Sequence, residues 1–147
     1  IMCVTEFVLK LQPVGSFMLS IVYFTIFQTS QPQFKNTTFL VAKKINSYIT
    51  EAAEQCERLD MPVLHPVIPL SDCNFFAPTY AALERGDHVL FQPNTSSMGI
   101  CIGPEGGWSK EEVLFLSGNP SVHPVSLGER ILRAETAALF MLSRIAG

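Results

Sequence analysis

Two segments of this chain turn at glycine between an apolar run and the start of a helix, and no other feature restricts its folding as tightly. In the first, Met98–Ile102 runs into Gly103-Pro104-Glu105-Gly106-Gly107-Trp108 and then into Ser109-Lys110-Glu111-Glu112. The apolar run predicts a strand buried on both faces, as parallel strands are. Ser109 and Glu112 stand at capping-box spacing: the serine hydroxyl accepts from the third helical amide while the glutamate reaches back. A helix is therefore expected to begin where the glycine loop ends. In the second segment a brief strand over 122–125 leads into Ser126-Leu127-Gly128, past Ile131 and Leu132, to a predicted helix over 133–145. That helix is expected to turn Leu139, Phe140 and Leu142 toward a core. Strands alternating with helices through short turns predict an α/β fold, a mostly parallel sheet with helices on both faces.

The rest of the chain extends the pattern. Over 40–59, Val41, Ile45, Tyr48, Ile49, Ala52, Ala53 and Cys56 recur at helical spacing, which predicts an amphipathic helix with one buried face. A short strand over 62–68 interrupted by Pro66, a helix over 75–85 closed by Gly86, and a strand over 88–91 are expected next. The uncharged run over 17–27, FMLSIVYFTIF, is compatible with a buried strand, a signal-peptide core or part of a membrane span. A spanning helix needs roughly 20 apolar residues. Gln12, Pro13, Gln28 and Pro32 crowd this run, and its β-branched and aromatic content favours the strand. The polar stretch 28–38 reads as a linker. The expected organisation is an atypical segment over 1–39, strand plus linker, followed by the main domain over 40–147.

A chain of 147 residues accommodates one domain, and 48% hydrophobic with 16% charged residues describes a globular core rather than a disordered segment. The net charge of −3 removes the simplest electrostatic argument for nucleic-acid binding, so any RNA contact must be local. Cys3, Cys56, Cys73 and Cys101 lack a C-x-x-C pair or a companion histidine at ligand spacing, so no metal site is expected, and unpaired thiols suit a reducing interior. Membrane association is not expected.

In open α/β sheets ligands sit beyond the carboxyl ends of the strands, where both glycine turns fall. G-P-E-G-G-W is neither the dinucleotide G-x-G-x-x-G fingerprint nor a phosphate-binding P-loop. Its glycines would let a ligand approach main-chain groups closely. Ile131 and Leu132 add apolar surface, and an apolar slot with few directed polar groups is the usual make-up of a cofactor site. Blander alternatives stay open: a tight turn before a helix, solvated Arg130 and Arg133, and a Glu135 that only favours its helix dipole.

The segments IGPEGGWSKEEV and VSLGERILRAETAAL resemble the two signature stretches of the RsmE-type ribosomal RNA methyltransferases of the SPOUT superfamily, and Ile49–Arg58 resembles the family's E-A-A-E-Q-x-x-R helix. The likeness covers roughly 40–147. It implies a C-terminal deep trefoil knot in the sheet, S-adenosylmethionine as cofactor, a homodimer, and methylation at N3 of a uridine in small-subunit ribosomal RNA. Carried over by motif, Ile102, Gly103, Pro104, Glu105, Gly106 and Gly107 would form one cofactor loop. Leu127, Gly128, Ile131, Leu132 and Arg133 would form the other, with Phe91, Gln92 and Pro93 as a third, weaker pocket segment.

A sulfonium methyl is already activated, so such a protein must mainly align it and exclude water. A cation near the base would stabilise the anion formed when N3 loses its proton. Arg133 is the candidate for that role, and Glu105 a lesser candidate for a base. The alternative is a non-catalytic knotted domain that binds the cofactor or a dimer partner. Family members also carry an N-terminal PUA-like barrel, for which this length leaves no room, and a K-x-T-E-L-G-like segment that 1–39 do not show. The unpaired cysteines lead to an expected location in the cytoplasm, or in an organelle if the chain is eukaryotic.

Overall fold

A computed structural model describes residues 7–14, 18–28, 38–55, 57, 61–65, 68–75, 78–83, 88–93, 97–104 and 106–146. Its strands are β1 (Phe7–Val14), β2 (Met18–Gln28), β3 (Val63–Leu64), β4 (Ile68–Pro69), β5 (Thr79–Ala82), β6 (Val89–Leu90), β7 (Met98–Ile102) and β8 (Val122–Ser126). The helices are α1 (Thr38–Gln55), α2 (Lys110–Gly118) and α3 (Ala134–Ala146). The sheet runs in the order β3-β2-β1-β7-β5-β8-β6, with β4 also paired to β2. β1 pairs antiparallel with both β2 and β7, and every other pairing is parallel.

Residues 18–27 of the apolar run thus take the strand alternative. As β2 they form a hairpin partner for β1, and β1 joins the sheet through Phe7–Ile102 and Leu11–Met98 pairings with β7. Residues 29–37, most of the expected linker, lie outside the described residues. No described helix is long and apolar enough to cross a membrane.

β5 is an interior strand, held between β7 and β8 with Ala82 opposite both Ile102 and Val125. This corrects the expected helix over 75–85. Ala81, Ala82 and Leu83 carry strong helix propensity, but propensity is a weak prior that packing overrides. Ala81 is fully buried, and a small side chain suits an interior strand covered on both faces. The expected strand over 62–68 appears as the two short pieces β3 and β4, with Pro66 outside the described residues. Of the α1 stripe, Ile45 and Ala53 are buried whereas Tyr48 and Ala52 are exposed.

Helices cover both faces. On one, Ala134, Ala137, Ala138 and Met141 of α3 pack on Tyr80, Met98, Ile100 and Val125. On the other, Leu116 of α2, with Val113 and Trp108 beside it, packs with Ala81, Cys101 and Val122. Of the α3 residues expected to face a core, Leu142 packs against it, whereas Leu139 is 68% exposed and the fully buried position is Met141. Cys73 and Cys101 are unbridged.

Candidate functional site

The parallel pairing sends the carboxyl ends of β5, β7 and β8 to one edge of the sheet. Beyond β7, the Pro104 carbonyl accepts the Gly107 amide at 2.9 Å, closing a turn whose last residue has φ +73°, a left-handed conformation that glycine adopts without strain. Trp108 follows, and Ser109 then caps α2. The Ser109 hydroxyl accepts from the Glu112 amide at 3.2 Å and the Glu112 carboxylate from the Ser109 amide at 2.7 Å, so the predicted capping box is formed in full. Beyond β8, the Ser126 hydroxyl accepts from the Gly128 amide at 3.2 Å, folding a turn in which Gly128 has φ +121°.

These two turns border one cleft that opens to solvent and whose interior amounts to about 40 Å³. That interior is well short of the roughly 300–1,000 Å³ usual for small-molecule sites. One wall is Ile102, Gly103 and Pro104, and the other is Leu127, Gly128, Ile131 and Leu132. Ala82 and Leu83, at the end of β5, lie between them, while Ala134 and Ala137 approach from α3. Trp108 stands behind Gly103, its indole N–H donating to the Ala82 carbonyl at 3.0 Å. Among the described lining residues Arg130 carries the one charged side chain. The cleft is thus lined mainly by apolar side chains yet presents as much polar as apolar surface, with a guanidinium in its lining.

Seven of the sequence-predicted residues come together here: Ile102, Gly103, Pro104, Leu127, Gly128, Ile131 and Leu132. Others stand apart. Gly106 and Gly107 border a separate cavity on the other side of Trp108, together with Lys110 and Leu114. Phe91 is fully buried, edge-on to Tyr80 at 5.3 Å between ring centres, and its amide donates to the Ser126 carbonyl at 2.9 Å. Gln92 faces a third cavity beside Tyr80 and His123, and Pro93 lines none of the three. Arg133 is exposed between the lining residues Leu132 and Ala134, outside the lining itself, and its carbonyl accepts the Ala137 amide at 2.8 Å. Glu105 lies outside the described residues.

Sequence reasoning passed over Ala82, Leu83 and Trp108 as lining residues. Trp108 sits inside the first glycine segment, so a bulky ring directly after two glycines was the available signal. Ala82 and Leu83 carried none, because the strand that brings them here reads locally as helix.

The model of the RNA methyltransferase domain family matches residues 10–146, nearly the whole chain. The chain belongs to that family. The ribosomal RNA small subunit methyltransferase E of Rickettsia conorii is 31% identical over 111 residues, covering 70% of this chain and 46% of the relative. That of Synechocystis is 33% identical over 110 residues, 66% of this chain and 35% of the relative. The chain therefore spans less than half the length of these two relatives. Among solved structures, Lpg2936 of Legionella pneumophila, determined with bound cofactor SAM, superposes with a TM-score of 0.64 at 32% identity, over 82% of this chain and 53% of that one. The relatives agree with the RsmE-type resemblance carried by the two glycine segments, and the superposition with an α/β methyltransferase-domain fold.

Proposed function

We propose that this chain is the S-adenosylmethionine-binding methyltransferase domain of an enzyme that methylates N3 of a uridine in small-subunit ribosomal RNA. The observation that carries this reading is the shared cleft: two glycine turns, more than twenty residues apart in sequence, border one slot at the carboxyl ends of β7 and β8, with β5 between them. The lining suits the cofactor. Leu127, Ile131 and Leu132 offer apolar surface for a purine, and main-chain groups near Gly103 and Gly128 suit its polar edges. When bound, S-adenosylmethionine supplies a methyl group already activated by its sulfonium.

The chain's own contribution is to hold, orient and exclude water. The acceptor N3 must give up its proton, and a guanidinium beside the mouth would stabilise the negative charge left on the uracil ring. Arg133, exposed just before α3 and next in sequence to the lining residues Leu132 and Ala134, is the proposed stabiliser, and Arg130, in the cleft lining, would share in it. The family resemblance adds a knotted passage of the C-terminal segment and a homodimer to the proposal, and the unpaired cysteines add a cytoplasmic or organellar setting.

Calorimetric titration with S-adenosylmethionine, paired with a methyl-transfer assay on small-subunit RNA, tests it. Binding with transfer to uridine N3 is expected. Binding without transfer would favour a non-catalytic cofactor-binding domain, and no binding would reject the assignment of the cleft.

A further inference from the structure

We infer that Trp108 is a positioning residue that sets the shape of the cleft from behind, an inference that rests on the cofactor reading of that cleft. Its indole N–H reaches 26 residues back along the chain to the Ala82 carbonyl, at 3.0 Å. That carbonyl ends β5, the strand between the two turns. The same ring lies flat enough against Gly103 that a Cβ there would meet indole Cε2 and Nε1 at 2.7 Å. Trp108 is therefore a strut tied to the end of that interior strand and pressed on the backbone of the first turn. It is also a partition, since with Leu83 it borders both the cleft and the cavity lined by Gly106, Gly107 and Lys110.

Two physical consequences follow. A half-buried indole N–H without its acceptor loses a hydrogen bond, so the tie to Ala82 fixes the ring's angle as well as its depth. Gly103 is fixed in turn by the ring, because even a methyl group at that position must push the indole off its carbonyl partner. The polar main-chain groups around Gly103 stand at their distance from the Gly128 turn because Trp108 holds them there.

Trp108 is the one tryptophan of the chain, so its emission reports on the cleft without labelling. Titration of the wild-type protein with S-adenosylhomocysteine is expected to shift or quench that emission with the same midpoint as calorimetry. Trp108→Phe keeps an aromatic ring but removes the donor; affinity is expected to fall roughly threefold or more as the first turn shifts, and the lost hydrogen bond also lowers the thermal midpoint. Gly103→Ala is expected to weaken binding about tenfold or more in the wild type, and less than about threefold when Trp108→Leu has made room, because contacting residues are non-additive. Undiminished affinity in Trp108→Phe, silent emission while calorimetry registers binding, or equal Gly103→Ala losses in both backgrounds would overturn the inference alone. Absence of any wild-type binding would overturn the cofactor reading and this inference with it.

Discussion

Ile131 lines the cleft yet leaves 63% of its side chain open to solvent. A large aliphatic group held at a cavity wall in that way contributes little to folding and much to any apolar ligand that covers it. Ile131→Ala removes three carbon groups, worth about 2.4 kcal/mol if all were buried, at about 0.8 kcal/mol each. Only the open 63% remains for a ligand to cover, so complete coverage is worth about 1.5 kcal/mol, roughly a twelvefold loss of affinity in the variant. The part already covered bounds the cost to folding at about 0.9 kcal/mol. Titration calorimetry with S-adenosylhomocysteine measures the first quantity, and urea denaturation without ligand measures the second. Leu132→Ala is the matched control: Leu132 is half-buried and packs on the α3 core, so its loss should fall more on stability than on affinity. An Ile131→Ala variant that binds within twofold of wild type would refute the reasoning, as would one that loses more than about 2 kcal/mol of stability, far beyond what its exposure allows.

Gly128→Ala meets no atom within 4 Å, so its expected cost of about 1–3 kcal/mol comes from forcing φ +121° on an L side chain; unchanged urea denaturation would show that the turn relaxes freely. Ser109→Ala should cost about 1 kcal/mol by opening the capping box of α2, and a loss under about 0.3 kcal/mol would assign the cap to Glu112 alone. Burial pushes the Cys73 thiol from 9.0 up to about 11. Its alkylation at pH 8 should therefore run about a hundredfold slower than that of a thiol at the reference value. Because the folded-state value is the raised one, the associated stability is present below pH 9 and lost as pH rises toward 11, which urea denaturation across that window checks. Arg133→Ala should reduce methyl transfer about tenfold or more beyond any change in cofactor affinity, as expected of a group used in the transition state; equal losses would reassign it to binding.

What the sequence discloses is local. The α2 start is legible because Ser109 and Glu112 satisfy each other's backbone within four residues. β7 is legible because all five of its residues are buried, so its apolar run has no alternation to confuse it. β5 is not, since Tyr80-Ala81-Ala82-Leu83 becomes a strand only through neighbours twenty and more residues later in the chain. The site divides in the same way. Glycines after strands mark where the chain turns, which brought Gly103 and Gly128 together, but the turn beyond Gly103 carries Gly106 and Gly107 to the far side of Trp108. That sidedness depends on a ring anchored 26 residues away, and no local spacing encodes it. Phe91 follows a strand like the others, yet its bulk is drawn inward against Tyr80.

β7 and β8 each adjoin β5, and neighbouring strands lie about 4.8 Å apart, so the two turns leave the sheet on the order of 10 Å from one another. The gap is thus a gauge cut by main-chain repeat distance. Replacing wall residues, or Trp108 behind them, can retune fit and chemical preference, but only within the span that one intervening strand sets. A protein built this way can change its appetite without changing the size of its mouth, until a strand is added or lost between the jaws.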